Sequence, residues 1–117
     1  MKTYKVEVTK EVTIWHNESN QRHREDGPAV EYENGTKYYY INGKLHRENG
    51  PAVEFANGGK EYYINNKLHR EDGPAVEWAD GDKSYFINGK KLTEEEFKAC
   101  DGKTVIVDGI TYKLVKI

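Results

Sequence analysis

A nine-residue segment recurs three times at a spacing of 23 residues, and this periodicity constrains the fold more than any other feature of the chain. The copies read His-Arg-Glu-Asp/Asn-Gly-Pro-Ala-Val-Glu and span residues 23–31, 46–54 and 69–77. Each copy is followed by an aromatic residue, a Gly-containing turn, a Tyr-rich run ending in Ile and an Asn-x-Lys turn. A fixed period of this length is typical of repeat proteins, whose units bury their apolar faces against their neighbours. Such proteins present a surface rather than a catalytic cleft.

Each repeat predicts a β-hairpin. Residues 28–32 alternate in the manner of a strand, and residues 37–41 form the return strand. Between them lies a turn pair whose two residues can both adopt positive φ. These pairs are Asn34-Gly35, Asn57-Gly58 and Asp80-Gly81. Consecutive hairpins are predicted to be joined by a connector that runs from the Asn-x-Lys turn to the next Gly-Pro, where Gly supplies unusual dihedral angles and Pro starts the strand.

Comparison of the copies sorts the return strand into four columns of side chains. The columns are Tyr38, Glu61 and Ser84; Tyr39, Tyr62 and Tyr85; Tyr40, Tyr63 and Phe86; and Ile41, Ile64 and Ile87. The variable Tyr38 column is predicted to face solvent. The Tyr39 and Ile41 columns share a face, which we assign to the core. The Tyr40 column lies opposite, so either both faces of a curled sheet are partly covered or this column is an exposed aromatic ladder.

Both ends of the chain depart from the repeat, as expected where a sheet must hide its terminal edges. Residues 12–17 with the following Arg22-His23 are interpreted as half of a degraded repeat, and a capping strand precedes them. Thr93 and Glu96 fit a capping box that opens a short helix through Ala99. Residues 104–107 and 110–115 predict a closing hairpin. We therefore expect one domain over residues 1–117: capping strands and the half-repeat in 1–17, three hairpin repeats in 18–90, and a helix and hairpin cap in 91–117.

Composition excludes several classes of protein. The formal charge of −2 and the pI near 6.1 give no overall attraction to nucleic acid or to anionic membranes. The single cysteine, Cys100, excludes an internal disulfide and suits a reducing compartment. No run approaches the ~20 apolar residues of a membrane span. These features predict a soluble cytoplasmic protein, located in the host cytoplasm if a phage encodes it.

The hairpins, with their aromatic return strands and connectors such as Tyr-Tyr-Ile-Asn-Asn-Lys-Leu-His at residues 62–69, resemble MORN repeats. They are most similar to the variant MORN-like repeats of bacterial and phage proteins, over roughly residues 15–90. The resemblance implies a mostly β fold: an antiparallel single-layer sheet of repeated hairpins, completed here by the C-terminal helix and closing hairpin. It also implies a non-enzymatic role as scaffold, lipid platform, immunity partner or phage inhibitor. The usual Tyr-x-Gly-x-Trp is replaced by Tyr-Tyr-Ile-Asn-Gly, and no functional residue is carried over.

Two basic positions recur at one register and are candidate binding residues: His23, His46 and His69, and Arg24, Arg47 and Arg70. Equivalent positions of neighbouring repeats lie two strand spacings apart, roughly 9–10 Å. Two such histidines cannot share a zinc ion, whose Zn–N bonds are about 2.0–2.1 Å, and we predict no metal and no cofactor. The arginines form a row suited to phosphates or carboxylates. Alternatively, each pairs with a glutamate of its own or a neighbouring repeat.

No catalytic constellation is present in the sequence. The neighbours of Cys100 do not suggest activation, neither serine has a Gly-x-Ser-x-Gly context, and no phosphate-binding Gly loop precedes a helix. Identical acids and histidines repeated along a sheet do not build one asymmetric site. The sequence therefore predicts a protein that is not an enzyme.

Three functional hypotheses remain. The first is a protein-interaction module, such as an inhibitor or immunity-type protein that blocks a host nuclease or defence complex, because Tyr and Arg are enriched at interface hot spots. The second is a binder of an anionic small ligand (a nucleotide) or single-stranded nucleic acid, with the Arg row on phosphates and bases on the Tyr40 column. The third is a self-assembling sheet. The non-repeat ends disfavour continued assembly, so we expect a monomer or a homodimer formed through one edge.

Overall fold

Antiparallel β-strands dominate this computed structural model, which describes residues 3–99 and 104–113. The strands are β1 (Lys5–Val8), β2 (Val12–His16), β3 (Val30–Tyr32), β4 (Lys37–Tyr38), β5 (Tyr40–Ile41), β6 (Lys44–Leu45), β7 (Val53–Glu54), β8 (Lys60–Glu61), β9 (Tyr63–Ile64), β10 (Lys67–Leu68), β11 (Val76–Glu77), β12 (Lys83–Ile87), β13 (Lys90–Leu92), β14 (Thr104–Val107) and β15 (Ile110–Lys113). Helix α1 (Glu94–Ala99) lies between β13 and β14.

Nine strands of the described residues form one sheet in the order β1-β2-β3-β4-β7-β8-β11-β12-β13. The pairs β5–β6, β9–β10 and β14–β15 form separate two-stranded hairpins. All pairings are antiparallel. The predicted fold class, an antiparallel sheet of hairpins with a short helix and a closing hairpin, is confirmed. Cys100 and residues 114–115 of the predicted closing strand lie outside the described residues.

The long hairpin of each repeat closes with a different turn from the one predicted. In the first copy Gly35 has φ of 98°, but Asn34 is not among the residues with positive φ. The Gly35 N–H donates to the Tyr32 carbonyl, and the Tyr32 N–H donates to the Thr36 carbonyl, both at 2.9 Å. This pattern fits a type I turn followed by a left-handed glycine. The prediction of positive φ at both residues of this turn is therefore wrong.

A second hairpin occupies the segment that the sequence predicts to be a connector. Tyr40 pairs with Leu45 and Ile41 with Lys44. The intervening Asn42 and Gly43 have φ of 48° and 81°, as a two-residue type I′ turn requires. The same arrangement recurs at residues 63–68. The first two repeats thus each contribute a long hairpin to the main sheet and a short one beside it, whereas in the third repeat β12 and β13 form the short hairpin within the main sheet.

The repeat core consists of consecutive Ala-Val pairs, which are at most 5% exposed: Ala29-Val30, Ala52-Val53 and Ala75-Val76. Each valine begins a strand and the preceding alanine lies in the bend before it, so the repeat core extends from the sheet into the loop that enters it. The residues of the Tyr38 column also pair with valines of the adjacent strands. Tyr38 itself pairs with Val30 and Val53. That column is half-buried, and its predicted solvent exposure is wrong. The Tyr39 column, assigned to the core from sequence, is also half-buried rather than buried.

A separate core closes the C-terminal end. Its buried residues are Ile87, Leu92, Phe97 and Val107, with Tyr85 and Tyr112 packed against them. The predicted capping box is confirmed, since the Glu96 N–H donates to the Thr93 hydroxyl at 3.0 Å and the Thr93 N–H donates to the Glu96 carboxylate at 2.9 Å. This turn of helix places Phe97 over the end of the sheet, 4.7 Å from the Tyr85 ring. Among the described residues, no helix has both the length and the apolar character that a bilayer crossing requires.

Candidate binding surface

The guanidinium group of each repeat arginine lies over an aromatic ring. The distances from guanidinium carbon to ring centroid are 4.2 Å for Arg24 over Trp15, 3.9 Å for Arg47 over Tyr39 and 4.1 Å for Arg70 over Tyr62. Trp15 takes the position that the Tyr39 column takes in the complete repeats, because its N–H donates to the Ala29 carbonyl as the Tyr39 N–H donates to that of Ala52. Stacking of this kind contributes about 0.5–2 kcal/mol per pair. The tyrosines therefore serve as platforms for arginine.

The glycine of the Gly-Pro element leaves room for the guanidinium group. A Cβ atom on Gly27 would lie 3.1 Å from the guanidinium carbon of Arg24, and one on Gly50 would lie 3.2 Å from that of Arg47. Neither glycine has positive φ. The sequence interpretation attributed these glycines to backbone dihedral angles, and this was wrong. Close packing of arginine between a ring and the glycine backbone is the reason.

Carboxylates pair with all three guanidinium groups. Arg47 Nη1 lies 2.7 Å from Glu54, and Arg70 lies 2.9 Å from both Glu77 and Asp72. These two arginine side chains are 31% and 18% exposed. Arg24 pairs with Asp26 at 2.8 Å and lowers the pKa of that carboxyl group. The arginines thus meet the alternative expectation of local pairing, and they do not form a free cationic row.

Each repeat histidine binds the backbone of the Asn-x-Lys turn that closes its own repeat. The Nδ1 atoms of His23, His46 and His69 accept hydrogen bonds of 2.8, 3.0 and 2.9 Å from the backbone N–H groups of Asn42, Asn65 and Asn88. Each donor asparagine lies 19 residues downstream, within the same 23-residue unit. On the other side of each ring, Nε2 faces a glutamate of its own repeat at 3.4–3.6 Å. The described residues hold no group of three His, Cys, Asp or Glu side chains that could bind a metal ion.

The Tyr40 column contacts the arginine loops through its backbone. The carbonyls of Tyr40, Tyr63 and Phe86 accept the N–H groups of Arg24, Arg47 and Arg70, each at 3.1 Å. Their side chains are half-buried, so the column is partly covered. The structure thus places the predicted histidines and arginines beside the backbone of the Tyr40 column, but the aromatic side chains of that column line neither groove.

Alkaline pH is expected to weaken the fold through Tyr63. Burial, followed by the charge of and hydrogen bond to Glu61 at 3.2 Å, raises the pKa of Tyr63 from 10.0 to about 12. Because the folded pKa exceeds the ordinary value, this contribution to stability is complete below about pH 10 and is lost as the pH rises through about 12. The free energy of unfolding should fall between about pH 10 and about pH 12 in urea titrations. The fall should be smaller in Tyr63→Phe, and an equal fall in both proteins would contradict the assignment.

Two equivalent grooves lie between successive arginine loops. The first groove, of about 730 Å³, is floored by Tyr39 and Ile41 and bounded by residues 24–28 and 46–49. The second groove, of about 590 Å³, is floored by Tyr62 and Ile64 and bounded by residues 47–50 and 69–72. These grooves could not be predicted from the sequence pattern, because they lie between loops of consecutive repeats.

The rims of the grooves are acidic. Their carboxylate side chains are between 47% and 84% exposed: Glu25, Asp26, Glu48, Glu71 and Asp72. Glu48 lines both grooves. Asp26 and Asp72 pair with Arg24 and Arg70, so the glutamates of the rims provide the excess negative charge that an approaching molecule meets. The surface combines apolar floors with a negative rim.

Comparison with protein-family models, with curated proteins and with solved structures found no match for this chain. The resemblance to MORN-like repeats therefore rests on the sequence pattern, and function must be argued from the grooved face itself.

Proposed function

We propose that this protein is a non-enzymatic interaction module and that a partner protein docks across the two grooves. The observation that carries this proposal is the pair of equivalent grooves side by side on one sheet, each with a half-buried isoleucine beside an arginine-covered tyrosine at its floor. Concave apolar floors with polar rims are what buried anchor side chains of a partner require. The residue-level chemistry points to recognition rather than reaction, because the histidines bind turns of their own repeats and the arginines stack on rings of the preceding ones.

From the sequence resemblance we further infer a MORN-like repeat protein that acts in the cytoplasm, or in the host cytoplasm if a phage encodes it. An inhibitor or immunity-type role against a host nuclease or defence complex fits a small module of this kind. This part of the proposal rests on analogy.

The alternative, a nucleotide or single-stranded nucleic acid bound along the arginines, has less support. A phosphate would have to displace the carboxylates that lie 2.7–2.9 Å from the three guanidinium groups. It would also meet the acidic rim. No observation favours this alternative over protein binding.

A pull-down with matched variants tests the proposal. The tagged full chain, incubated with nuclease-treated bacterial lysate, is expected to retain one protein near stoichiometry. Ile41→Glu combined with Ile64→Glu should reduce recovery by at least ~10-fold, since charges would line both floors. Val8→Glu is the matched control, because Val8 is 72% exposed and lies outside the grooves.

Circular dichroism establishes that each variant is folded. Ile64→Ala, which removes apolar contact without adding charge, should still reduce recovery several-fold. Docking across the grooves would be refuted if the unmodified chain retained no protein. It would also be refuted if the double Glu variant and Ile64→Ala both retained the partner fully.

A further inference from the structure

The tripeptide Thr-Tyr-Lys occurs at both ends of the chain. It spans residues 3–5 at the start of the first strand and residues 111–113 in the last described strand. The two copies lie outside the 23-residue repeats and belong to segments with no other sequence similarity. Their shared role is apparent from the residues that they contact.

Both copies place their tyrosine ring on a repeat histidine. Tyr4 stacks on His23 with ring centroids 5.8 Å apart and an interplanar angle of 7°. Tyr112 lies on His69 with centroids 4.9 Å apart and an angle of 52°. The chain therefore covers two of its three equivalent histidines with tyrosines from its own terminal segments.

The central histidine lacks this cover. Among the described residues, no aromatic ring packs on His46. The His46 side chain is 18% exposed, against 6% for His23 and 14% for His69. Ile64, next to the asparagine bonded to His46, is half-buried, as is Ile41 beside the asparagine bonded to His23, whereas Ile87 is fully buried beneath the C-terminal cap.

We infer that a tyrosine followed by lysine, presented by the partner polypeptide, packs on His46 and Ile64 in the way that Tyr4 and Tyr112 pack on the outer repeats. This inference rests on the proposed function, whose docking surface it specifies. The chain's own two Thr-Tyr-Lys segments are already engaged, so the occupant comes from another protein. His46 borders the first groove and Ile64 floors the second, which places the bound ring between the two grooves.

The carboxylates around His46 favour a basic residue next to the partner's tyrosine. Glu48 is 77% exposed, faces His46 Nε2 at 3.6 Å and lines both grooves. At the equivalent C-terminal position, burial and the carboxylates Glu71 and Asp108 raise the pKa of Tyr112. A tyrosine at the central position would likewise lie near carboxylates. A lysine next to it would be attracted to them, more weakly at high salt.

A peptide titration tests the inference directly. The probe is the acetylated and amidated pentapeptide of residues 2–6, Lys-Thr-Tyr-Lys-Val, added to the isotope-labelled full chain. Its binding should shift the amide signals of His46, Ile64 and Asn65 saturably in NMR spectra. A probe with alanine in place of tyrosine should bind at least ~10-fold more weakly. A probe with both lysines replaced by glutamate should bind about 5-fold more weakly, and salt should reduce that difference.

Two protein variants form a matched pair. Glu48→Gln should weaken binding of the lysine probe by about 2–5-fold, whereas Glu33→Gln, at an exposed carboxylate outside both grooves, should leave it unchanged. Spectra of each variant without peptide report that the fold is retained. The glutamate and alanine probes test the inference independently of either variant.

Three outcomes would overturn the inference: no shift at the three central amides, equal binding of the alanine probe, or shifts confined to Tyr4 or Tyr112, where the probe would be displacing the chain's own rings. If the probes fail but the pull-down recovers a partner that the floor variants lose, the proposed function stands and the tyrosine-lysine occupant is rejected. If the pull-down also fails, both are rejected.

Discussion

Replacing Ile87 by alanine is expected to lower the free energy of unfolding by about 3 kcal/mol. Ile87 is 0% exposed and packs with Leu92, Phe97 and Val107, so its truncation leaves a cavity between sheet and cap. The matched change Ile64→Ala removes the same atoms from the same repeat position, but from the half-buried floor of the second groove. It should cost about 1 kcal/mol, because little cavity forms at an open surface. Urea titrations give both losses in the free energy of unfolding, and the slope of this free energy with urea concentration should not change.

The difference in stability loss between Ile87→Ala and Ile64→Ala tests whether Ile64 is open to solvent. Equal losses near 3 kcal/mol would mean that Ile64 is covered in solution, leaving no open floor for a partner. Equal losses near 1 kcal/mol would mean that the C-terminal cap does not pack on Ile87.

Replacing Arg70 by alanine is expected to cost about 2–3 kcal/mol and to lower the melting temperature by about 10 °C. Its guanidinium group stacks on Tyr62, pairs with Asp72 and Glu77, and donates to the Pro74 carbonyl at 3.1 Å. Truncation leaves these partners without their cation. An exposed arginine row would instead predict nearly unchanged folding.

Two further substitutions sharpen this prediction. Arg22→Ala is the control, since Arg22 is exposed and lies 5.7 Å from the Tyr40 ring; it should cost less than ~0.5 kcal/mol. Arg70→Lys should recover less than about half of the lost stability, because an ammonium group cannot stack flat and bond to several partners in one plane. Thermal unfolding followed by circular dichroism measures all three variants. Indistinguishable melting temperatures for Arg70→Ala and Arg22→Ala would refute a structural role for the stacked arginine.

Features with a local cause could be predicted from the sequence. Thr93 and Glu96 form the capping box because both partners lie within one helical turn. The long hairpins follow from alternation and a glycine at each turn, although the turn type differs from the prediction. The pairing of the arginines with acids was also expected as one of two outcomes, since carboxylates surround each arginine in the sequence.

Features that depend on contacts between repeats could not be predicted. Strands β5 and β6 have only two residues each, too short for periodicity to reveal a second hairpin. Position 50 favours glycine because the Arg47 side chain packs against its backbone. Rules for turn sequences do not describe this contact. The aromatic residues of the Tyr39 column are typical of core positions, but arginine side chains rather than apolar ones cover Tyr39 and Tyr62. The grooves arise from the space between loops of consecutive repeats, which a single repeat does not contain.

The stacking of Arg47 on Tyr39 and of Arg70 on Tyr62 has the same form at both junctions between complete repeats. A chain lengthened by one 23-residue unit could therefore reproduce this junction and keep both terminal caps. It would gain one groove, whereas deletion of a unit would remove one. Under the proposed docking, the number of anchor side chains engaged would follow the repeat number, and avidity would change in steps without redesign of the individual groove.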